Sequence, residues 1–527
     1  MRNKRAFLFA LILSYLYFRG IGDHGLIDPL EGVNASVAVH MAGGGNYFVP
    51  KIGEALTSGS TMGSWWLSVI AIKLIGWSEF AVRFFSALSG LGMIFVSAIS
   101  ARPYSDDSMR KSWLAACICA AMTLCFVVSQ SASSHALYSF LTGLAMTGII
   151  LSGENKKRLI IAHSAITLAF IAHGFEGLLL PFLAVIVYCV ISEDWDLMRD
   201  FFTWPGGIII TVTVSGLYFV ILMITNPEII HFMRCQNHSY TFGGIAGIIT
   251  FIFISFVPFH GFIARAFYEV FPRSYPAEKS YDLFILTWAC VFALASLISG
   301  DIFALCSCIP AVSALLGRKI DIWLTQGSFT SLRYAVMINT VILVPVLYML
   351  LPFTAGNFPL VKASMMSLIP WGLTEGLFLF ACWYYTKTRQ PSKWARNVPA
   401  AALICLMPLA GVFNLTAEIY SAHDTGMQLR DAVRGNDIIL QYGVNHPSIY
   451  FYTLRNSRII SADFTPGVSE RKYNAPESVI NSLWDGSTRV FMIMPSDMTL
   501  ENRLPADIIH IDEGQGLLLL SNQSSNQ

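Results

Sequence analysis

Three carboxylates and two histidines crowd one polar stretch near the start of the chain, residues 22–50, GDHGLIDPLEGVNASVAVHMAGGGNYFVP. Asp28 and Glu31 stand three positions apart around Pro29, with Asp23 and His24 before them and His40 behind. On a helical turn that spacing sets both carboxylates on one face. A carboxylate held at a water–lipid boundary can accept a proton from an attacking hydroxyl or offset positive charge developing on a substrate. The same residues also read as a plain capped helix. Pro29 suits a first turn with Asp28 as its cap, residues 34–41 the helix, and Gly43, Gly44 and Gly45 its end. Local pattern leaves both readings open.

The surroundings are apolar. Of 527 residues, 54% are hydrophobic and 13% charged, and the mean hydropathy is +0.57. Soluble domains carry roughly 25% charge, so the fold class is a polytopic α-helical membrane protein. The net charge of +1 provides no basic stripe for a nucleic acid. None of the ten cysteines follows Cys405, which excludes a disulfide-stapled outer domain. Cys306 and Cys308 sit in an apolar run and read as core packing. The MRNKR start and the apolar run behind it lack a small-residue cleavage site, so they read as an uncleaved first span.

Runs near bilayer length recur at 6–20, 80–98, 113–131, 136–152, 159–173, 177–192, 205–225, 244–260, 281–298, 302–317, 334–352, 367–386 and 398–414, about thirteen crossings in all. Residues 64–76 are too short to cross comfortably, and their tryptophans suit a helix lying in the interface. Positive charge then sets the orientation. Arg2, Lys4 and Arg5, then Arg102, Arg110 and Lys111, then Lys156, Lys157 and Arg158 all fall on one side. So do Arg265, Arg273 and Lys279, Arg318 and Lys319, and the cluster from Lys387 to Arg396. Only the acidic loop 192–200 adds nothing to the bias. The amino terminus is therefore expected in the cytoplasm, with loop 21–79 and the carboxyl-terminal tail outside.

After about residue 415 the composition becomes that of a soluble domain. The pattern predicts helix at 428–433, strand at 437–442, helix at 447–454 and strand at 458–462. Helix at 476–484 and strands at 490–494 and 507–511 follow, a small α/β domain. Two domains result: 1–414, a transmembrane part with outer loop 21–79, and 415–527, a soluble outer part. The tail has no glycine-rich phosphate loop, so nucleotide binding is not expected there. His446 opens a helix with an aromatic face and reads as structural.

Residues 22–50 also resemble the first outer loop of the GT-C polyprenyl-phosphate-dependent glycosyltransferases. The likeness is greatest to the bacterial lipid A aminoarabinose transferases, with the protein O-mannosyltransferases more distant. It rests on His24-Gly25-Leu26, Pro29, Glu31, Ala35, Met41, Gly45, Tyr47 and Pro50. It continues through Trp66, Phe80 to Arg83, Ser86-Ala87-Leu88-Ser89, Gly174 and Gly177 before Leu180-Pro181, and Asn226-Pro227-Glu228 with His231, Phe232 and His238. The chain also departs from that family. Where the family has an Asp-Glu pair this chain has Leu30-Glu31, its arginine falls on Val33, and its Glu-Lys-Pro falls on Gly59-Ser60-Thr61. An outer aspartate after span three falls on His135, and a lysine after span five on His173. A lysine- and tyrosine-bearing stretch falls on residues 299–304, where only Asp301 is charged.

The resemblance implies a bacterial inner-membrane glycosyltransferase. It would move a sugar from a polyprenyl phosphate to a lipid A, glycan or protein acceptor on the outer face. Glu31, with Asp28 as partner or substitute, would be the catalytic carboxylate. Arg234, His135, His173 and His238, at predicted outer ends, would hold the leaving phosphate. Each has a plainer reading: His135 a helix cap, His173 a pair with Glu176, and Arg234 and His238 contacts to lipid headgroups. No H-x-x-x-H spacing supports a metal, so no metal and no cofactor beyond the lipid-linked donor are expected, a divalent ion being the lesser reading. The alternative is a catalytically inactive relative that binds a lipid-linked glycan or scaffolds an envelope complex, suggested by the replaced Asp, Arg, Lys and Tyr positions. Transport would call for ionisable residues deep in mid-span, whereas here the polar groups gather at span ends.

Overall fold

Long apolar runs with few breakers give long helices, and the breakers that do occur fall where the chain must turn. The computed structural model describes residues 2–53, 55–57, 62–102, 109–153, 155–225, 244–270, 277–355, 360–460, 484, 488–495, 509–514 and 517–522. The chain forms two compact units: Met1–Arg19, Arg83–Leu222 and His238–Val412 in the first, and Gly20–Val82, Met223–Asn237 and Phe413–Gln527 in the second.

The first unit is helical. Among the described residues six helices are long and apolar enough to cross a membrane: Glu79–Ser100, His135–Ser152, Phe175–Ser192, Pro205–Thr225, Tyr281–Ser299 and Ile302–Thr325. The run expected at 113–131 is two helices, Met109–Ala121 and Thr123–Gln130, bent by 61°, and makes a seventh if counted as one span. The run at 302–317 starts as a 3-10 turn, Ile302–Cys308, before the α-helix Ile309–Thr325. The run at 398–414 is likewise broken, into Pro391–Ile404 and Met407–Tyr420.

Burial sorts these helices. Ile302–Thr325 is 89% buried and forms the centre of its unit, whereas Pro205–Thr225 is only 28% buried. The latter exposes Ile209, Val212, Leu217 and Ile224, side chains that suit acyl chains as solvent. Small residues let the central helices approach closely. A Cβ on Gly317 would come within 2.7 Å of the Ala115 amide nitrogen, and one on Gly148 within 2.8 Å of that of Ala162.

The second unit mixes helices and strands. Helices Leu30–Ala42 and Met62–Ile75 flank a short antiparallel hairpin, β1 (Lys51–Ile52) and β2 (Ala55–Leu56). Helix His423–Ala432 leads to β3 (Ile438–Tyr442), and helix Ser448–Thr453 carries the chain to β4 (Ser457–Ile460). The strands β5 (Val490–Pro495), β6 (Ile509–Gly514) and β7 (Leu517–Ser521) complete a sheet of order β4-β3-β5-β7-β6. Strands β4, β3 and β5 run parallel, and β7 is antiparallel to both β5 and β6.

Both faces of this sheet are covered. Ile439, Phe491, Ile493 and Leu519 pack on one side with Leu429 and Ile449. Leu440, Val490, Met492 and Leu520 pack on the other with Trp484. That is why these strands read as continuous apolar runs rather than alternating ones. Every element expected here from 428 to 462, and the strands near 490 and 507, appear within a few residues of their expected bounds. The helix expected at 476–484 lies outside the described residues except for Trp484.

Candidate functional site

In the second unit the helix Leu30–Ala42 begins just after Pro29, whose carbonyl accepts the Val33 amide. Glu31 is 2% exposed, and its Oε2 accepts a hydrogen bond from the Ile27 amide at 2.8 Å. Its carboxylate therefore ties the helix start to the preceding turn.

Asp28 does something else, and the capping expected of it is corrected here. No side chain caps this helix. The Asp28 carboxylate instead reaches the helix Ser448–Thr453, accepting the Ser448 amide (3.1 Å) and the Ser448 hydroxyl, and sharing a hydrogen bond with His446 Nδ1 at 3.1 Å. Tertiary donors outcompete the local cap because they number three and include a backbone amide at a helix start. Gly32 permits the approach, since a Cβ there would overlap the Asp28 carboxylate and crowd the Ser448 nitrogen at 2.7 Å.

The same pair of helices is laced by further bonds. Ser36 Oγ donates to the Pro447 carbonyl at 2.7 Å, and His40 Nδ1 meets the Tyr450 hydroxyl at 2.9 Å. Burial, and then the nearby Lys51 charge, lower the His40 pKa, while burial raises that of Tyr450. The tryptophans expected at an interface bond within the protein: Trp65 Nε1 donates to Asn34 Oδ1 and Trp66 Nε1 to the Tyr47 carbonyl, each at 2.8 Å.

In the first unit three helix breaks bring His135, His173 and Asp301 together. His135 is the first residue of helix His135–Ser152, and His173 the last of Leu159–His173. Gly174 (φ +77°) ends that helix, and Gly300 (φ +76°) precedes Asp301. Both glycines hold backbone conformations that a Cβ disfavours, so the chain reverses where each donor is presented. His135 Nε2 lies 3.1 and 3.0 Å from the two Asp301 oxygens, and His173 Nε2 lies 3.7 Å from Asp301 Oδ2. All three are buried, at 3%, 6% and 1% exposure. Among the described residues this is the one trio of His, Cys, Asp or Glu whose ligand atoms all lie within 4.8 Å of one another.

Neighbours fix these rings. Ser134 Oγ meets His173 Nδ1 at 3.2 Å, and the Tyr138 ring stacks on His173 at 4.3 Å between centroids. Asp301 Oδ1 also accepts the Ala304 amide at 3.3 Å, which caps the 3-10 turn. The expected His173–Glu176 pair is present at 3.8 Å.

Of the residues expected to act, His135 and His173 are thus brought together, and Asp28 and Glu31 lie at one helix start in the other unit. Arg234 and His238 lie outside the described residues. Asp301 was the member that sequence reasoning passed over, whereas His446, expected to be structural, bonds Asp28. The signal for Asp301 was its isolation as the lone charge in residues 299–304, beside two positions where histidine replaces the family residue.

No family model matches the chain. By sequence it is 21% identical over 560 residues to the undecaprenyl phosphate-alpha-4-amino-4-deoxy-L-arabinose arabinosyl transferase 2 of Pseudomonas fluorescens, covering 98% of each chain. A transferase of the same description from Proteus mirabilis is 23% identical over 337 residues, 60% of this chain and 59% of that one. By structure the chain superposes on ArnT of Cupriavidus metallidurans in the apo state with a TM-score of 0.80 at 16% identity, covering 99% of both chains. Against ArnT of that organism bound to undecaprenyl phosphate the TM-score is 0.79, covering 100% of this chain and 99% of the other.

The fold is therefore of the GT-C type, the class that the sequence resembles. Within that class the likeness is to the aminoarabinose transferases, and it spans the whole chain.

Proposed function

We propose that the protein is a polyprenyl-phosphate-dependent glycosyltransferase of the bacterial inner membrane. The single observation carrying this reading is its end-to-end likeness, in sequence and fold, to transferases whose structure has been seen with undecaprenyl phosphate. The acceptor is a lipid A, glycan or protein group on the outer face. The chain makes thirteen crossings, with its amino terminus in the cytoplasm and the carboxyl-terminal domain in the periplasm.

In the reaction an acceptor oxygen attacks the anomeric carbon of the donor. The new C–O bond forms as the bond to the phosphate oxygen breaks. The acceptor proton passes to a carboxylate, and the polyprenyl phosphate departs with the electron pair. Glu31 is the assigned carboxylate because it is buried, held at a helix start and retained where the family has its acidic pair. Asp28, spent on the Ser448 and His446 bonds, positions the helix that carries it. His135, His173, Arg234 and His238 are assigned to the leaving phosphate.

Replacement of the family's aspartate, arginine and lysine positions favours one rival reading, a non-catalytic binder of a lipid-linked glycan. Glu31→Gln separates the two. The substitution keeps the side chain's shape and should lower transfer by about 10²–10⁴-fold while the protein stays folded in the membrane. Transfer unaffected by the substitution removes Glu31 from the chemistry. A wild-type protein that binds polyprenyl phosphate yet turns over no donor supports the binder.

A further inference from the structure

We infer that His135, His173 and Asp301 form a divalent-metal site of the Zn²⁺ class, whose open position takes an oxygen of the donor's phosphate. The first half stands on geometry alone, and the second rests on the transferase reading. Two imidazoles and one carboxylate, each offering one atom within 4.8 Å of the others, are a donor set suited to a borderline dication. Three protein ligands leave a fourth position for a substrate oxygen, the pattern of a metal that acts on a ligand rather than only holding a fold.

The surrounding bonds are those that orient metal ligands. Ser134 engages His173 Nδ1, leaving Nε2 to face Asp301, and the Ala304 amide steadies the carboxylate. Tyr138 stacked on His173 and Phe303 against the His135 ring make the pocket walls apolar, which strengthens charge interactions inside. Glu176 Oε2 lies 3.8 Å from His173 Nε2, with its side chain 35% exposed.

Charge explains why a metal would matter here. The Asp301 carboxylate repels a phosphate, and the Glu176 carboxyl, 3.8 Å from His173, adds to that when ionised. A bound dication offsets this charge. The ion would act as a Lewis acid on a phosphate oxygen. The ligands come from three separate helix ends, so no short spacing in the sequence could have announced them.

The test uses the full-length protein in lipid nanodiscs, stripped by chelator and titrated with Zn²⁺ alone, then with Co²⁺. The expected result is one equivalent of Zn²⁺ retained after dialysis and Co²⁺ absorption typical of a tetrahedral nitrogen–oxygen set. His135→Gln and His173→Gln, each checked for a monodisperse profile, should weaken Zn²⁺ by about tenfold or more. His163→Gln, a buried histidine bonded to Thr211, should leave it unchanged. Zn²⁺ retention that is sub-stoichiometric in the wild type, or equal in all three variants, overturns the site. If the histidine variants do not fold, the Co²⁺ spectrum of the wild type decides. Undecaprenyl phosphate binding by the stripped and Zn²⁺-loaded protein tests the second half. Tighter binding with Zn²⁺ supports it, and equal binding overturns the phosphate role while the metal site stands. No binding in either form removes the transferase reading, and the Zn²⁺ titration still judges the site.

Discussion

Asp28 and Asp301 are both buried acids beside a break in the chain, yet their surroundings give them opposite capacities. Asp28 accepts the Ser448 amide and hydroxyl and meets His446, so its lone pairs are spent on donors fixed by another helix. Asp301 accepts one backbone amide, that of Ala304, and faces two imidazoles whose Nε2 atoms can serve as donors or as ligands according to tautomer. A carboxylate surrounded by donors becomes a strut. One surrounded by potential ligands remains available to a cation. What a side chain is bonded to, more than its type or burial, decides whether it is architecture or chemistry.

Breaking the strut should have the largest effect. Asp28→Ala leaves the Ser448 amide and hydroxyl without their acceptor, a loss of about 2–6 kcal/mol at about 1–3 kcal/mol for each orphaned donor. Faster limited proteolysis of the carboxyl-terminal domain would report it, and cleavage at the wild-type rate would contradict the strut. Gly174→Ala comes next. It forces a Cβ into φ +77°, ψ −153°, at a cost of about 1–3 kcal/mol, and should lower the thermal unfolding temperature.

Ser448→Ala takes away one donor from Asp28 while keeping the amide, so about 1–2 kcal/mol is expected in the same proteolysis assay. The smallest effect is pH-dependent. Because burial lowers the His40 pKa, the folded protein binds this proton less readily than the unfolded chain. The neutral ring's contribution is present above the ordinary histidine value and is lost as the pH falls through it. Lys51→Gln, which removes the charge that adds to the shift, should blunt that dependence, as a thermal-melt series across mildly acidic pH would show.

The sequence made some of this legible. The strands at β3 and β5 and the helices beside them stood out because apolar runs of strand length alternate with short helical patterns. The strand β7, LLLLS, was missed because it is uniformly apolar and carries no alternation to distinguish strand from helix. His135 and His173 stood out by their places at span ends, but their convergence on Asp301 is a property of three helix breaks far apart in the chain. Asp28 looked like a cap because local pattern cannot see Ser448, more than four hundred residues away. Local rules gave the helix, and tertiary bonds reassigned its acid.

The transferase claim is tested most directly by mass spectrometry of envelope lipids and glycoproteins from cells carrying the wild-type gene, no gene, or the Glu31→Gln allele. The account predicts one acceptor class that gains a single glycosyl mass with the wild type and loses it in both other strains. An acceptor profile identical in all three strains would contradict it.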